Sequence, residues 1–346
     1  MRAAGRFAWN VLPAVVVGVS LDAAQNLDRR QLERAEETLR QEGEAVLALA
    51  DAAAAGHPVP ADFDIAWHND FLKAQAGTFI PFVVRITAPQ VRTRAALLYL
   101  RATTRGAGPA VEGRRDDAEA TGLIRYPFEA IYPVEMAASP SLPVRVTRGF
   151  SLPPGEYDLT VVVREREREA GRSPKPMASV LRRPLNVPDF ATGALTTSSI
   201  ILADGLADVP EIPPASQLLE HPYLVGGRDI QPAEDAIFRR QEELIVVFLV
   251  YNPTITPDKH FDLEVEYHFF KNTGEGETYF NRTEPQRFNP AALGPQYDPS
   301  SGQPVMAGQG VPLAGFQAGD YRLAIKVRDL VSGRFVERQL HFSVRP

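Results

Sequence analysis

Apolar residues recur at alternate positions in short runs along most of this chain, and one such run occurs twice. The first copy reads Pro154-Gly155-Glu156-Tyr157-Asp158-Leu159-Thr160-Val161-Val162-Val163-Arg164. The second reads Ala318-Gly319-Asp320-Tyr321-Arg322-Leu323-Ala324-Ile325-Lys326-Val327-Arg328. From Gly155 and Gly319 onward the two align without a gap. Each opens on a Gly-acid turn and then places Tyr, Leu, Val or Ile, and Val at every second position, the period of a strand with one buried face. Such a strand cannot bury its face alone, so each copy implies a sheet around it.

The flanking pattern predicts the rest of two units. In the first, strands are expected at Phe79 to Ile86 (Pro81 marking an edge or bulge), Ala96 to Arg101, Phe128 to Tyr132, Val144 to Val146 and Tyr157 to Arg164. A hairpin loop from Glu165 to Pro176 then leads to a closing strand, Val180 to Val187. In the second, Leu244 to Tyr251 ends in Asn252-Pro253, as the first unit's strand ends in Ala88-Pro89. Phe261 to Phe270, Tyr321 to Arg328 and Phe335 to Val344 follow in the same order, with a shorter final hairpin. Four elements in matched order read as a duplication. The fold class is mainly β: two tandem Ig-like antiparallel β-sandwich domains, preceded by an N-terminal signal or anchor segment and one α-helix.

The helix is expected from about Leu27 to Ala55, with Asn26 as N-cap and Gly56, Pro58 and Pro60 ending it. Its apolar stripe is Leu32, Ala35, Leu39, Val46 and Leu49, interrupted by Glu42. It reads either as a docking helix or as a cover for the first sandwich. The domain boundaries that follow are 1–24 for the signal or anchor, 25–56 for the helix and 57–190 for the first sandwich. Residues 191–235 are a proline-rich packed connector with a strand at Leu195 to Leu202, and 236–346 form the second sandwich.

Composition narrows the function classes. Hydrophobic residues at 44% and charged residues at 23% permit sizeable cores. The chain holds 30 prolines in 346 residues, well above the usual ~5%, which favours sandwiches over helical bundles. A net charge of −6 argues against a nucleic-acid partner. With no cysteine, thiol nucleophiles, disulfides and cysteine metal sites are excluded. Arg2 and Arg6 precede a mainly apolar run from Phe7 to Leu21, shorter than the ~20 residues a spanning helix needs, and Ala23-Ala24-Gln25 follows. This predicts export to the periplasm or beyond, with residues 7–21 as a membrane anchor if they are retained.

Four segments carry a resemblance. They are Pro154-Gly155-Glu156-Tyr157, Leu195-Thr196-Thr197-Ser198-Ser199, Phe248-Leu249-Val250-Tyr251-Asn252-Pro253, and the run from Gly319 to Val327. Together they are similar to a group of exported bacterial β-sandwich proteins common in acidobacteria, often found with von Willebrand factor A-like or GWxTD-type regions. The resemblance covers roughly Phe63 to the C-terminus and implies an extracytoplasmic pair of β-sandwiches, with no particular activity. The neighbouring regions' own motifs are missing: Asp298-Pro299-Ser300-Ser301-Gly302 departs from Asp-x-Ser-x-Ser at its last position, and no Gly-Trp-x-Thr-Asp occurs.

Candidate chemistry is sparse. Asp62, Asp64, His68 and Asp70 could hold a hard cation, or Phe63, Ile65 and Trp67 face a core while Asp64 and His68 face water. His260, Asp262, Glu264, Glu266 and His268 share one face of a regular strand, either as a metal or proton-relay site or as a solvated sheet face. Tyr279, Phe280, Phe288 and Tyr297 lie in 272–312, the longest part of the second unit without a clear strand pattern. Such loops often bind ligands, and exposed rings there would stack on sugars; otherwise they plug the loop against the sheet. No nucleophile elbow, zinc-protease motif, phosphate-binding loop or dinucleotide fingerprint occurs. No catalytic residue, cofactor-binding residue, metal ligand or cofactor is assigned. The expectation is a non-enzymatic exported protein–protein interaction module, a structural or accessory subunit of an envelope-associated assembly. Its partners would be other envelope proteins, reached through the N-terminal segment or the 27–55 helix. The alternative is carbohydrate binding or processing through the 272–312 loop.

Overall fold

The computed structural model describes residues 29–88, 92–106, 126–137, 142–166, 175–209, 213–214, 220–233, 235–294, 297–298 and 301–346. The expected signal or anchor, 1–24, lies outside these. In chain order the elements begin with helix α1 (Arg29–Ala54), β1 (Asp64–Asn69), β2 (Leu72–Lys73), β3 (Thr78–Thr87), β4 (Ala95–Thr104), β5 (Phe128–Glu135), β6 (Val144–Leu152), β7 (Gly155–Glu165) and β8 (Ala178–Val187). Then come β9 (Thr196–Thr197), β10 (Ile201–Asp208), β11 (Leu224–Val225), β12 (Arg228–Pro232), β13 (Ile237–Arg239), β14 (Glu243–Tyr251), β15 (Leu263–Thr273), β16 (Gly276–Arg282) and β17 (Gln286–Phe288). A short helix α2 (Pro290–Leu293), β18 (Val305–Pro312), β19 (Gly319–Asp329) and β20 (Phe335–Arg345) complete the chain.

These strands form four sheets. Sheet A has the order β5-β4-β7-β8, and sheet B the order β1-β3-β2 with β6 also on β3. Sheet C runs β11-β12-β10-β14-β18 with β9 also on β14, and sheet D runs β13-β20-β19-β15-β16 with β17 on β15. The ladders of sheets C and D are antiparallel, except that β13 runs parallel to β20. The sheets repeat: β5-β4-β7-β8 answers to β16-β15-β19-β20, and the β3–β6 pair answers to β14–β18. The chain is thus mainly β, with two tandem Ig-like antiparallel sandwiches preceded by one helix. By compactness it divides into two units. Unit 1 runs to Trp67 and takes Val84–Val146 and Gly155–Asn186; unit 2 takes His68–Val83, Thr147–Pro154 and Val187–Pro346. Strands β3 and β6 each run through a boundary between the units.

The core of unit 2 lies between sheets C and D. Leu244, Val246, Phe248 and Val250 of β14 pack with Val265, Tyr267 and Phe269 of β15, Leu323, Ile325 and Val327 of β19, and Phe342 and Val344 of β20. Burying each large side chain of this kind contributes about 1.5–3 kcal/mol. The other face of β14 is also buried: Val247, Leu249 and Tyr251 pack with Leu72, Val83, Phe190 and Tyr223. That is why β14 reads as an unbroken apolar run rather than an alternating one. The 191–235 stretch, expected as a connector, supplies β9 to β12 of sheet C. The 272–312 stretch, expected without a strand pattern, carries β16, β17 and β18. β16 is mostly exposed, β17 is only three residues long and β18 carries two glycines, so no apolar period marks them.

In unit 1, α1 lies on the outer face of sheet A, where Val46 and Ala50 pack with Leu97, Tyr99 and Val162. The duplication shows what this cover does. Val162 is fully buried, whereas the aligned residue of the second copy is Lys326, whose side chain is 44% exposed. Glu42, expected to interrupt the apolar stripe, is only 2% exposed and lies in line with Val46, Ala50 and Ala53. It is held by the Arg166 guanidinium at 2.8 Å, since a buried carboxylate without a partner would cost several kcal/mol.

Candidate functional site

The repeated strand begins in a backbone conformation that needs glycine. Gly155 and Gly319 have φ of 152° and 151°, a region L side chains rarely adopt. Two residues on, Tyr157 and Tyr321 are buried, and Tyr321 Oη donates to the Gln317 carbonyl at 2.8 Å, closing a tyrosine corner.

The repeat also extends one residue further than the apolar pattern, to an acid that ends each strand. Glu165 is 1% exposed and Asp329 fully buried. Glu165 Oε1 accepts from the Arg92 and Thr93 amides at 2.8 and 3.2 Å, and Oε2 from the Met177 amide at 3.1 Å. Asp329 Oδ2 accepts from the Thr254 amide at 2.8 Å, and Oδ1 from the Val331 and Ser332 amides at 3.0 and 3.2 Å. In both copies one oxygen pins the chain after the β3-type strand and the other pins the following hairpin. Burial pushes the Asp329 carboxyl up, but the hydrogen bonds from Thr254 and Ser332 outweigh it and hold its pKa below the usual carboxylate value. No local pattern marks these acids, because Glu165 opens an acid- and arginine-rich run and Asp329 sits at a polar turn. The signal was present: the aligned repeat carries an acid at the same place in both copies.

Pinning the two loops presents apolar side chains at one end of unit 2. Ile255 follows Thr254; Leu330, Val331 and Phe335 belong to the β19–β20 hairpin, and Arg334 donates to Thr254 Oγ1 at 2.8 Å. These four are 39%, 37%, 36% and 69% exposed respectively. Beside Phe335, on the outer face of sheet D, lies a shallow cavity of about 180 Å³ lined also by Glu264, Glu266, Lys326, Arg328 and Glu337.

The residues singled out from sequence fall as follows. Tyr279 and Phe280 lie on β16 at a bulge that breaks register between Phe269 and Phe270 of β15. Tyr279 faces solvent against the edge of Phe270, with ring centroids 5.7 Å apart. Phe280 packs inward on Phe316 at 4.8 Å. Phe288 is half-buried against the core, and Tyr297 packs on Phe261 at 5.5 Å and donates to the Gln303 carbonyl. Burial raises the Tyr297 pKa. The four rings are not brought into one row; three of them pack on the core of unit 2. Of 62–70, Phe63 and Trp67 are buried and Asp64 and His68 exposed, while Asp70 is buried and accepts from Tyr223 Oη at 3.0 Å. Of 260–268, Asp262 pairs with Arg287, and His268 Nε2 lies 3.3 Å from Glu266. In the ladder, Glu264 stands opposite Arg328 and Glu266 opposite Lys326. Among the described residues no three His, Asp or Glu side chains converge as metal ligands.

No family model matches the chain, and no curated protein matches it in sequence. Solved structures that match include trypsin-activated alpha-2-macroglobulin from Escherichia coli, at 10% identity and a TM-score of 0.22, over 83% of this chain and 17% of that one. Escherichia coli alpha-2-macroglobulin activated by porcine elastase also matches, at 11% identity and a TM-score of 0.19, over 83% of this chain and 24% of that one. The chain spans less than a quarter of the length of either protein.

Proposed function

We propose that this chain is a non-enzymatic protein–protein interaction module, exported and serving as a structural or accessory subunit of an envelope-associated assembly. The observation that carries the reading is the apolar end of unit 2. Ile255, Leu330 and Val331 are exposed on loops that Asp329 holds in place, and Phe335 is exposed at the start of β20, beside a shelf of mixed charge. Large exposed apolar side chains grouped together, with a charged rim, favour protein partners. Export rests on the sequence of Arg2 to Gln25 alone.

A crosslinked pull-down from the native envelope, compared between the unaltered chain and a Val331→Asp/Phe335→Asp variant, tests this. A defined stoichiometric partner set, lost in a variant that melts normally, is the expected result. The same recovery with both chains, or no partner with either, would overturn it. Mass spectrometry of the recovered chain reads its N-terminus in the same experiment. Carbohydrate binding keeps one supporting observation: Tyr279 is exposed beside Phe270, whose ring is stacked at 4.1 Å by an Arg322 guanidinium held by Glu277. A Tyr279→Ala change that abolishes retention on an immobilised glycan would favour that reading.

A further inference from the structure

The run Leu195-Thr196-Thr197-Ser198-Ser199 places four hydroxyls in a row, and two of them serve the backbone. Ser198 Oγ accepts from the Leu249 amide and Ser199 Oγ from the Phe71 amide, each at 2.9 Å. The other two hydroxyls meet a cation. Arg338 Nε donates to Thr197 Oγ1 and Nη2 to Thr196 Oγ1, both at 3.1 Å, while Nη1 reaches the Glu337 carbonyl at 3.4 Å. The threonines form β9 of sheet C, beside Val250 and Tyr251, and Arg338 stands on β20 of sheet D. The three side chains therefore bridge the two sheets of unit 2.

A cation is out of place here. In the β19–β20 ladder Arg338 stands opposite Ile325, a core residue, so its side chain leaves β20 on the core-facing side, in line with Val336 and Leu340. Counting back from Val187 and Val344, the first copy carries Leu181 at this place. The strand thus has no need of a charge there. Among the described residues no acid pairs with Arg338; its partners are the two threonines and one carbonyl. Burial lowers its pKa, as expected of a half-buried guanidinium without a counter-charge.

The count of hydrogens points the same way. A guanidinium has five N–H groups, and three are used. Each threonine oxygen accepts from the arginine, which leaves its O–H to donate, and neither hydroxyl donates to a described group. Thr197 is 2% exposed, so its spare donor is nearly buried. Two N–H and two O–H groups lie together without an acceptor.

We propose that Arg338, Thr196 and Thr197 form a binding site for a carboxylate, with the free guanidinium N–H groups and the threonine hydroxyls donating to its two oxygens. A carboxylate matches the donors because it is planar, carries one charge and offers about four lone-pair sites. It arrives either on a small free acid or on an acidic side chain of a protein. The site uses none of the apolar residues at the end of unit 2, so it stands whether or not that surface binds a partner.

The test is an NMR titration of the full chain with sodium acetate, sodium succinate and a blocked Gly-Gly-Glu-Gly-Gly peptide, each at constant ionic strength with chloride as reference. The readouts are the Arg338 Nε–H resonance and the Thr196 and Thr197 amides. Carboxylates should shift them saturably and chloride should not. Arg338→Leu, which installs the first copy's residue, should melt within about 2 °C of the unaltered chain and lose the response, because a buried charge replaced by an apolar side chain is close to neutral in stability. Thr196→Val should weaken binding about tenfold, and it decides the site if Arg338→Leu does not fold. Saturation by acetate or succinate without the peptide supports the site and assigns a free acid; tighter binding of the peptide supports it and assigns a protein side chain. A response equal to that of chloride, or one that survives Arg338→Leu, would overturn the site. So would an Arg338→Leu chain that melts far lower while Thr196→Val binds normally, since the arginine would then be a clasp between the sheets.

Discussion

Replacing Asp329 by Asn is the sharpest test of how the second repeat is held. The carboxylate serves three backbone donors from two directions, Thr254 on one oxygen and Val331 with Ser332 on the other, in a fully buried position. Asparagine keeps one acceptor oxygen, so it can serve one direction and must turn its amide donors toward the other. Hydrogen bonds to a charged acceptor are worth about 1.5–3 kcal/mol each, and a buried donor left unpaired costs about 1–3 kcal/mol. Arg334, 3.6 Å away, loses its counter-charge but is 45% exposed, so water replaces most of that contribution. The expected loss is about 2–4 kcal/mol, which for a unit of this size lowers the melting midpoint by roughly 5–15 °C. Thermal and urea unfolding at neutral pH measure it, with Asp320→Asn, an exposed acid in the same motif, as the control. The pH dependence supplies a second check. Because the native pKa of Asp329 is lowered, its contribution is fully present above the unfolded value of ~3.9 and is lost as pH falls from there through the native value. The gap between native and variant should therefore close in acid. An Asp329→Asn protein within about 0.5 kcal/mol of the Asp320→Asn control, or a gap that persists at low pH, would refute the reasoning.

Glu165→Gln should destabilise unit 1 by a similar amount, about 2–4 kcal/mol, because Glu165 receives the Arg92, Thr93 and Met177 amides in the same two-sided manner; chemical unfolding followed by hydrogen exchange in β4 and β7 reads it. Gly319→Ala should cost about 1–3 kcal/mol in thermal unfolding, from backbone strain at φ 151° rather than crowding, since the nearest atom to an added Cβ is the flexible Lys271 side chain. Val162→Lys, which places the second copy's residue under α1, should detach the helix, seen as exchange of the 42–54 amides at rates close to those of an open helix; retained protection would contradict the cover argument.

The alternating period of the repeated strand and the order of its neighbours were enough to determine a duplicated, mainly β architecture with one leading helix. That is so because the strands that carry each core keep one face apolar regardless of what lies around them. Tyr157, Leu159, Val161 and Val163, with their counterparts from Tyr321 to Val327, encode a buried face directly in their spacing. Only the tertiary structure decided which other faces were covered. Glu42 reads as a break in a helical stripe until Arg166, distant in sequence, is seen to neutralise it. Glu165 and Asp329 read as surface acids until the loops that donate to them are in place. The four rings of 272–312 could not be sorted into exposed and buried from sequence, because neighbouring Tyr279 and Phe280 point to opposite faces of β16 and only the packing of Phe280 on Phe316 decides which face is covered. Burial of polar groups depends on partners brought from far along the chain, and no local pattern records them.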